Sequence, residues 1–331
     1  MGTVGLVFLI LIALGFDFTN GFHDAANAVA VAITTRALRP LTALGLAAVM
    51  NVVGALISTK VAATVGKGII ATPHGTSGLV IVSAALIGGI TWNLITWRIG
   101  LPSSSTHALI GGLVGAALGA SSPVIWHGLV EKVVIPMAVS PLIGFAGGYL
   151  LMIAILWIFR RSRPRVVNRR FKTAQIASTS AMAFSHGTQD AQKTMGVITL
   201  ALVVTSHLAS FSVPLWVILA AACSMGLGTL AGGWRVIRTV GSRITPLDPP
   251  RAFAAQTAAA TVLLVSAYGY AIPVSSTHVM TSAIMGVGAT RRVSAVRWGV
   301  AQQVVFAWLF TIPGAATTAF LTYHLAHLIV R

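Results

Sequence analysis

Acidic side chains are scarce in this sequence, with five Asp and Glu among 331 residues against 22 Lys and Arg. Charged residues of both signs reach only 8%, where a water-soluble domain carries about 25%. Such a chain cannot cover a surface that faces water, which excludes an ordinary soluble globular protein. Cysteine occurs once, as Cys223, so no internal disulfide forms, and a small packing residue is its expected use. A basic flank is also missing from the first apolar run, and residues 1–14 therefore read as mature sequence rather than as a signal peptide.

What fills the chain instead is apolar sequence, 56% of the residues, in runs long enough to cross a bilayer, for which about 20 residues are needed. Gly, Ser, Thr and Asn interrupt these runs, without strand-like alternation, which favours helices over a barrel. The formal charge of +17 brings a nucleic-acid binder to mind. Its distribution argues otherwise. Seven of the 22 basic residues (Arg160, Arg161, Arg163, Arg165, Arg169, Arg170, Lys172) sit in one segment between apolar runs, and most others sit in short loops. That is topology information, so a lipid bilayer is the expected partner and nucleic acid is not.

Two motifs occur twice, in the same order. Gly21-Phe22-His23-Asp24-Ala25-Ala26-Asn27 is matched by Gly187-Thr188-Gln189-Asp190-Ala191-Gln192-Lys193. Pro102-Ser103-Ser104-Ser105-Thr106-His107 is matched by Pro273-Val274-Ser275-Ser276-Thr277-His278. The aspartates are 166 positions apart and the histidines 171, the spacing of a duplicated half. The expected fold is an all-α multispan membrane protein of about ten crossings: 4–35, 41–65, 78–98, 102–120 and 133–159, then 174–206, 213–231, 251–270, 273–290 and 298–325. The first crossing of each half should break, near Asp17 to Gly21 and near Gly187. The short runs after the Ser-Ser-Thr-His motifs read as half-helices or re-entrant segments.

The organisation is then a transmembrane repeat over 1–159, a basic cytoplasmic loop over 160–173 and a second repeat over 174–331. With that loop inside, 17 basic residues fall in the cytoplasm, four (Lys60, Lys67, Lys132, Arg331) outside, and Lys193 within a span. This is the bias of the positive-inside rule. Both termini are expected outside the cytoplasm, in a multi-pass protein of the cell (inner) membrane. Five crossings per half is an odd number, so the halves run in opposite directions, an inverted repeat of the kind secondary transporters use.

Of the acidic residues, Asp17, Asp24 and Asp190 fall within or beside the paired motifs. An ionised carboxylate in the bilayer costs at least a few kcal/mol, so such groups face a cavity and act on ions or protons, or else hydrogen-bond between helices. Symmetry brings Asp24 and Asp190 to one central site. Asp17 reads as an interfacial or capping residue, and Asp248 in Pro246-Leu247-Asp248-Pro249-Pro250 as a loop turn. The repeated Ser104, Ser105, Thr106 and Ser275, Ser276, Thr277 open helical runs, where hydroxyls and free N–H groups favour an anion; capping and small-residue packing are their plainer uses. Asn27 and the carboxylates would hold neutralising cations. His107 and His278 either orient their loops or titrate. His23 and His186, beside the aspartates, suit proton coupling, and Lys193 either pairs with Asp190 or replaces a coupling cation.

On these four ordered motifs, across residues 15–290, the chain resembles the PiT family of inorganic phosphate transporters, in its bacterial low-affinity permease form. In that family each inverted half carries a Gly-Ala-Asn-Asp-x-x-Asn-type motif and a later Pro-x-Ser-(Ser/Thr)-Thr-His motif. The resemblance implies a secondary active transporter, not an enzyme, which imports inorganic phosphate by cation symport through alternating access. Its site would lie at the midplane between the repeats. Ser104, Ser105, Thr106, Ser275, Ser276, Thr277 and Asn27 would then contact substrate, and Asp24, Asp190, His23, Gln189 and Lys193 would couple the ion. No catalytic residue, resident metal or cofactor is implied beyond the coupling cation, H+ or Na+, and a homodimer is left open. His23 and Gln189 replace the Asn before each Asp, and Lys193 replaces the second Asn. Those forms look like the branch associated with proton symport, including that of a metal–phosphate complex.

Four other readings compete. Sodium-coupled uptake or a sulfate permease would use the same architecture, but phosphate at neutral pH still donates a proton, which Asp24 or Asp190 can accept. An intramembrane Ser-His-Asp hydrolase would need one nucleophile, whereas every candidate here is duplicated, and no Gly-x-Ser-x-Gly elbow stands at either motif. A channel would conduct without a coupled ion.

Overall fold

The computed structural model describes residues 2–67, 69–71 and 75–330. Met1 and Arg331, which carry the expected placement of the termini, lie outside the described residues. Helices dominate: α1 Gly2–Thr34, α2 Pro40–Ala55, α3 Lys60–Lys67, α4 Thr76–Ile99, α5 Ser105–Gly119, α6 Trp126–Leu129, α7 Ile135–Ile158, α8 Pro164–Val204, α9 Leu215–Ala231, α10 Trp234–Arg238, α11 Pro249–Leu264, α12 Ser276–Ala289 and α13 Trp298–Val330. π-helical turns join α6 to α7 and extend α10 and α11. Starts follow local chemistry: Pro40, Pro164 and Pro249 occupy first-turn positions, where a missing N–H costs nothing. Asp248 is the N-cap of α11, accepting from the Arg251 N–H at 3.0 Å, which refines the turn expected there.

Among the described residues, five helical stretches are long and apolar enough to cross a membrane: Thr3–Thr34, Ser77–Ile99, Trp126–Ile158, Pro249–Tyr270 and Trp298–Leu328. Two more form from bent pairs, α2 with α3 (79°) and α9 with α10 (61°). Seven spans are therefore countable by length and composition, not ten. The other three expected crossings correspond to α5, α8 and α12. At 15 and 14 residues α5 and α12 are too short alone for a hydrocarbon core of about 30 Å. Each follows a short non-helical stretch, 101–104 and 271–275, as expected of broken elements. α8 is long enough, at 41 residues, but carries Gln189, Asp190, Gln192 and Lys193 in its middle.

Two expectations fail. α1 and α8 run unbroken through Gly21 and Gly187. A Cβ on Gly21 would strike the Met225 carbonyl oxygen, and one on Gly187 that of Asn51. These glycines let a neighbouring backbone approach rather than interrupt their own helix. The basic segment is likewise not a loop over 160–173. Pro164 starts α8, so Arg165, Arg169, Arg170 and Lys172 ride on its exposed first turns.

The packing is interchanged between halves. α1 packs on α9 while α8 packs on α2; α5 packs on α13 while α12 packs on α7. Close approach supports each pairing. Gly54 and Gly187 face α8 and α2 backbone, Gly111 and Gly115 face Ile312 and Ala316, and Gly144 and Gly148 face Val279 and Ala283. Lipid supplies no hydrophobic drive between helices, so small residues that bring backbones together carry the association. Replacing Gly187 by Val is expected to destabilise the detergent-solubilised protein by about 1–3 kcal/mol. Gly147→Ala, whose added Cβ meets only Ala258 at an ordinary 3.5 Å, should leave the melting temperature unchanged. Equal melting of both variants would contradict the close-packing role.

Candidate substrate and ion site

The two Ser-Ser-Thr-His stretches build the same local structure. Ser104 caps α5, accepting from the His107 N–H at 3.2 Å, and Ser275 caps α12, accepting from the His278 N–H at 3.2 Å. Each cap leaves first-turn N–H groups and the next Ser and Thr hydroxyls at a helix N-terminus, where the helix dipole favours an anion. The two starts meet: the His107 and His278 rings lie 4.8 Å apart, and His278 stacks on Trp308 at 4.1 Å. Ser103, Ser104, Ser105, Thr106, Ser275, Ser276 and Thr277 are all buried.

α1 and α8 supply the charges. Asp24 Oδ2 accepts from Ser105 at 2.6 Å, and Oδ1 from Thr277 at 3.2 Å, with His23 Nδ1 at 2.8 Å from the same Oδ1. One hydroxyl from each half thus reaches one carboxylate. Asp190 Oδ1 pairs with the Lys193 ammonium at 3.0 Å, while Oδ2 accepts from Ser276 at 3.1 Å and lies 2.8 Å from His186 Nε2. The halves then cross. Lys193 Nζ of the second half donates to Ser105 at 3.1 Å and Thr106 at 3.0 Å. Asn27 Nδ2 of the first half donates to Ser276 at 3.3 Å and Thr277 at 2.9 Å. Asp24, His186 and Asp190 present ligand atoms within 4.8 Å of one another.

Eleven of the twelve residues singled out from the sequence are therefore in or at the edge of one buried cluster, with Ser104 and Ser275 in the capping positions behind it. Gln189 is the exception. Its amide donates to the carbonyls of Leu263 at 3.1 Å and Ile272 at 3.4 Å, away from the carboxylates. His23, at the matching position, also braces the approach to its short helix, with Nε2 3.1 Å from Thr96 Oγ1 and 3.4 Å from Ser103 Oγ.

Sequence reading missed Asn20, whose Oδ1 accepts from Ser105 at 2.5 Å, and Asn51, which lies 3.1 Å from His186 Nδ1 and donates to Thr229 at 2.8 Å. Asn20 was detectable: it precedes Asp24 by four positions, as His186 precedes Asp190. Asp17, expected at an interface or cap, is instead fully buried in α1.

Removing the Lys193 ammonium leaves Asp190 buried without its fixed cation, a loss of about 3–5 kcal/mol for a broken buried pair. Lys193→Met should therefore lower the melting temperature sharply, and Lys193→Met with Asp190→Asn should recover much of that loss. A double variant no more stable than the single one would mean that the pair is not coupled.

The family model described as the phosphate transporter family matches residues 20–319. A probable low-affinity inorganic phosphate transporter of Rhizobium meliloti (strain 1021) is 47% identical over 332 residues, covering 98% of this chain and 97% of that protein. The protein so described in Bacillus subtilis (strain 168) is 41% identical over 326 residues, with 98% and 97% covered. A solved structure described as the sodium-dependent phosphate transporter superposes with a TM-score of 0.88 at 24% identity, covering 98% of this chain and all of that one, a likeness of fold. With its paired motifs meeting in one buried cluster and the family model spanning nine-tenths of its length, the chain belongs to the phosphate transporter family.

Proposed function

We propose that the protein imports inorganic phosphate across the cell (inner) membrane together with protons, by alternating access between two inverted repeats, residues 1–159 and 174–331. The single observation that carries this reading is the crossed hydrogen bonding of the cluster. Ser105 and Thr106 are held by Lys193, and Ser276 and Thr277 by Asn27. These are the donors that a tetrahedral oxyanion needs, and they come from two helix N-termini and both halves at once. Phosphate entering there exchanges protein–protein hydrogen bonds for protein–phosphate ones and frees the halves to move relative to each other. The names of the relatives, probable low-affinity inorganic phosphate transporters, point the same way.

Phosphate is favoured over sulfate because its protonated oxygen can donate to Asp24 or Asp190, where sulfate offers only acceptors. Protons are favoured over sodium by the immediate partners of the carboxylates. Asp24 has His23 and Asp190 has His186, each at 2.8 Å, and Lys193 stands where a neutral ligand would serve a metal ion. With both imidazoles neutral, the two carboxylates and one ammonium leave a net negative cluster that repels an entering anion. Protonating the imidazoles removes that obstacle, at a depth where unbalanced charge is costly. Asp24, Asp190, His23 and Lys193 thus couple the cation to the substrate held by Asn27 and the Ser-Ser-Thr residues, and Gln189 assists by bracing the stretch before α12. In the proposed ten-crossing topology α5, α8 and α12 complete the count, and both termini lie outside.

The test is radiolabelled phosphate uptake into proteoliposomes under an inward proton gradient or an inward sodium gradient, imposed separately. Uptake driven by protons and abolished in Asp24→Asn is expected, with the variant still inserted and folded. Sodium-driven uptake would refute the coupling assignment, and no phosphate uptake under either gradient would refute the substrate.

A further inference from the structure

One buried carboxylate stands outside the network just described. Asp17 is fully buried, and neither carboxyl oxygen has a hydrogen-bond partner. It precedes Asp24 by seven positions on the unbroken α1, two helical turns, which puts both on one face about 10 Å apart. Its polar neighbours are Asn20, on the turn between them, and Thr194 of α8. Both of these carry an orphan group, the Asn20 Nδ2 and the Thr194 Oγ1, and both are buried. Three unpaired polar groups therefore converge from two helices in the membrane interior, where each costs several kcal/mol.

Small shifts of these side chains satisfy all three groups in either charge state: an ionised Asp17 accepts from the Thr194 hydroxyl and the Asn20 amide, and a protonated one keeps both partners while shedding a charge that the membrane interior disfavours. The protonated carboxyl donates to Thr194 Oγ1, and its carbonyl oxygen accepts from Asn20 Nδ2. Asn20 has a donor left over because its Oδ1 already accepts from Ser105, so the neighbourhood offers the carboxyl a hydrogen-bond donor and a hydroxyl, not a cage of oxygens. The ionisable groups around Asp17 are Lys193 and Asp190 of α8, with His23 and Asp24 further along its own helix. α9 brings no charged residue to this contact, and α4 carries only Arg98, at its far end. We propose that Asp17 is a proton-carrying residue of the transport cycle, loaded together with phosphate but not touching it. This rests on the proton-symport reading above.

The geometry also provides a link to the substrate site. The Ser105 hydroxyl has one proton and two acceptors, Asn20 Oδ1 at 2.5 Å and Asp24 Oδ2 at 2.6 Å. An ionised Asp17 draws the Asn20 amide toward itself and so alters which acceptor Ser105 serves. The charge state of Asp17 is thereby felt at Asp24 through two side chains.

Asp17→Asn is the decisive variant because a neutral amide imitates the protonated acid but cannot release a proton. In proteoliposomes it is expected to keep phosphate–phosphate exchange at equal pH on both sides and to lose accumulation driven by an inward proton gradient. Asp17→Glu should retain gradient-driven accumulation with a displaced pH dependence. Asp17→Asn that accumulates phosphate like the wild type overturns the proposal and leaves symport standing. Wild type driven by sodium and not by protons overturns both, which separates the two failures. If Asp17→Asn loses exchange too, Asp17→Glu decides: gradient-driven uptake in that variant supports the proton role, and its absence overturns it.

Discussion

Lys193 is the residue on which the closed site depends. An ammonium has three N–H donors and no acceptor, and buried away from water each donor needs a partner. Lys193 finds three: Asp190 on its own helix at 3.0 Å, and Ser105 and Thr106 on the other half at 3.1 and 3.0 Å. The lysine is thus fully satisfied only while α8 and the start of α5 stay together. Asn27 makes the reciprocal tie from α1 to the start of α12. Because the groups that clamp the halves are also the groups that an oxyanion would engage on the proposed reading, filling the site and loosening the clamp would become one event.

Such a clamp needs rigid helices to act through. The glycine contacts supply them by bringing α2 against α8 and α1 against α9 at backbone distance, and α5 against α13 and α7 against α12 in the same way. These seams leave little room for sliding. The looser joints lie elsewhere: the 79° bend between α2 and α3, the 61° bend between α9 and α10, and the non-helical stretches ahead of α5 and α12. Motion concentrated there would carry whole helix groups past a fixed centre, the form of movement alternating access requires.

The duplicated motifs made the centre legible in the sequence, because two copies of an Asp motif and a Ser-Ser-Thr-His motif in order point to one interface. The short helices after Pro102 and Pro273 were legible for the same reason. The continuity of α1 and α8 was not. A glycine amid polar residues reads as a break, and only the neighbouring backbone shows that Gly21 and Gly187 serve an approach. Length and composition alone reach only seven spans among the described residues and leave the expected ten unconfirmed, since α5 and α12 are short and α8 hides its polar middle inside the protein. Gln189 illustrates a further limit: its place in the motif implied a neighbour of Asp190, but adjacent positions on a helix point about 100° apart, and its side chain turns to the Leu263 and Ile272 carbonyls.

The duplication is symmetric in backbone and asymmetric in charge. Position by position, Asn20 answers His186, His23 answers Gln189 and Asn27 answers Lys193. The second half therefore holds a fixed positive charge beside its carboxylate, while the first half holds Asp24 among hydroxyls and one imidazole. Asp17 adds a second acid to α1, and α8 has none to match it, since Ala183 stands at its counterpart. A carboxylate already neutralised by lysine has little reason to exchange a proton, whereas one held by neutral donors can. On the proposed proton-symport reading, the carboxylic acids that would change charge are then those of α1, while the Asp190–Lys193 pair of α8 would stay fixed. In an inverted repeat of the kind proposed, both sides of the membrane would have equivalent access, and this charge difference would give the proton a preferred place to bind.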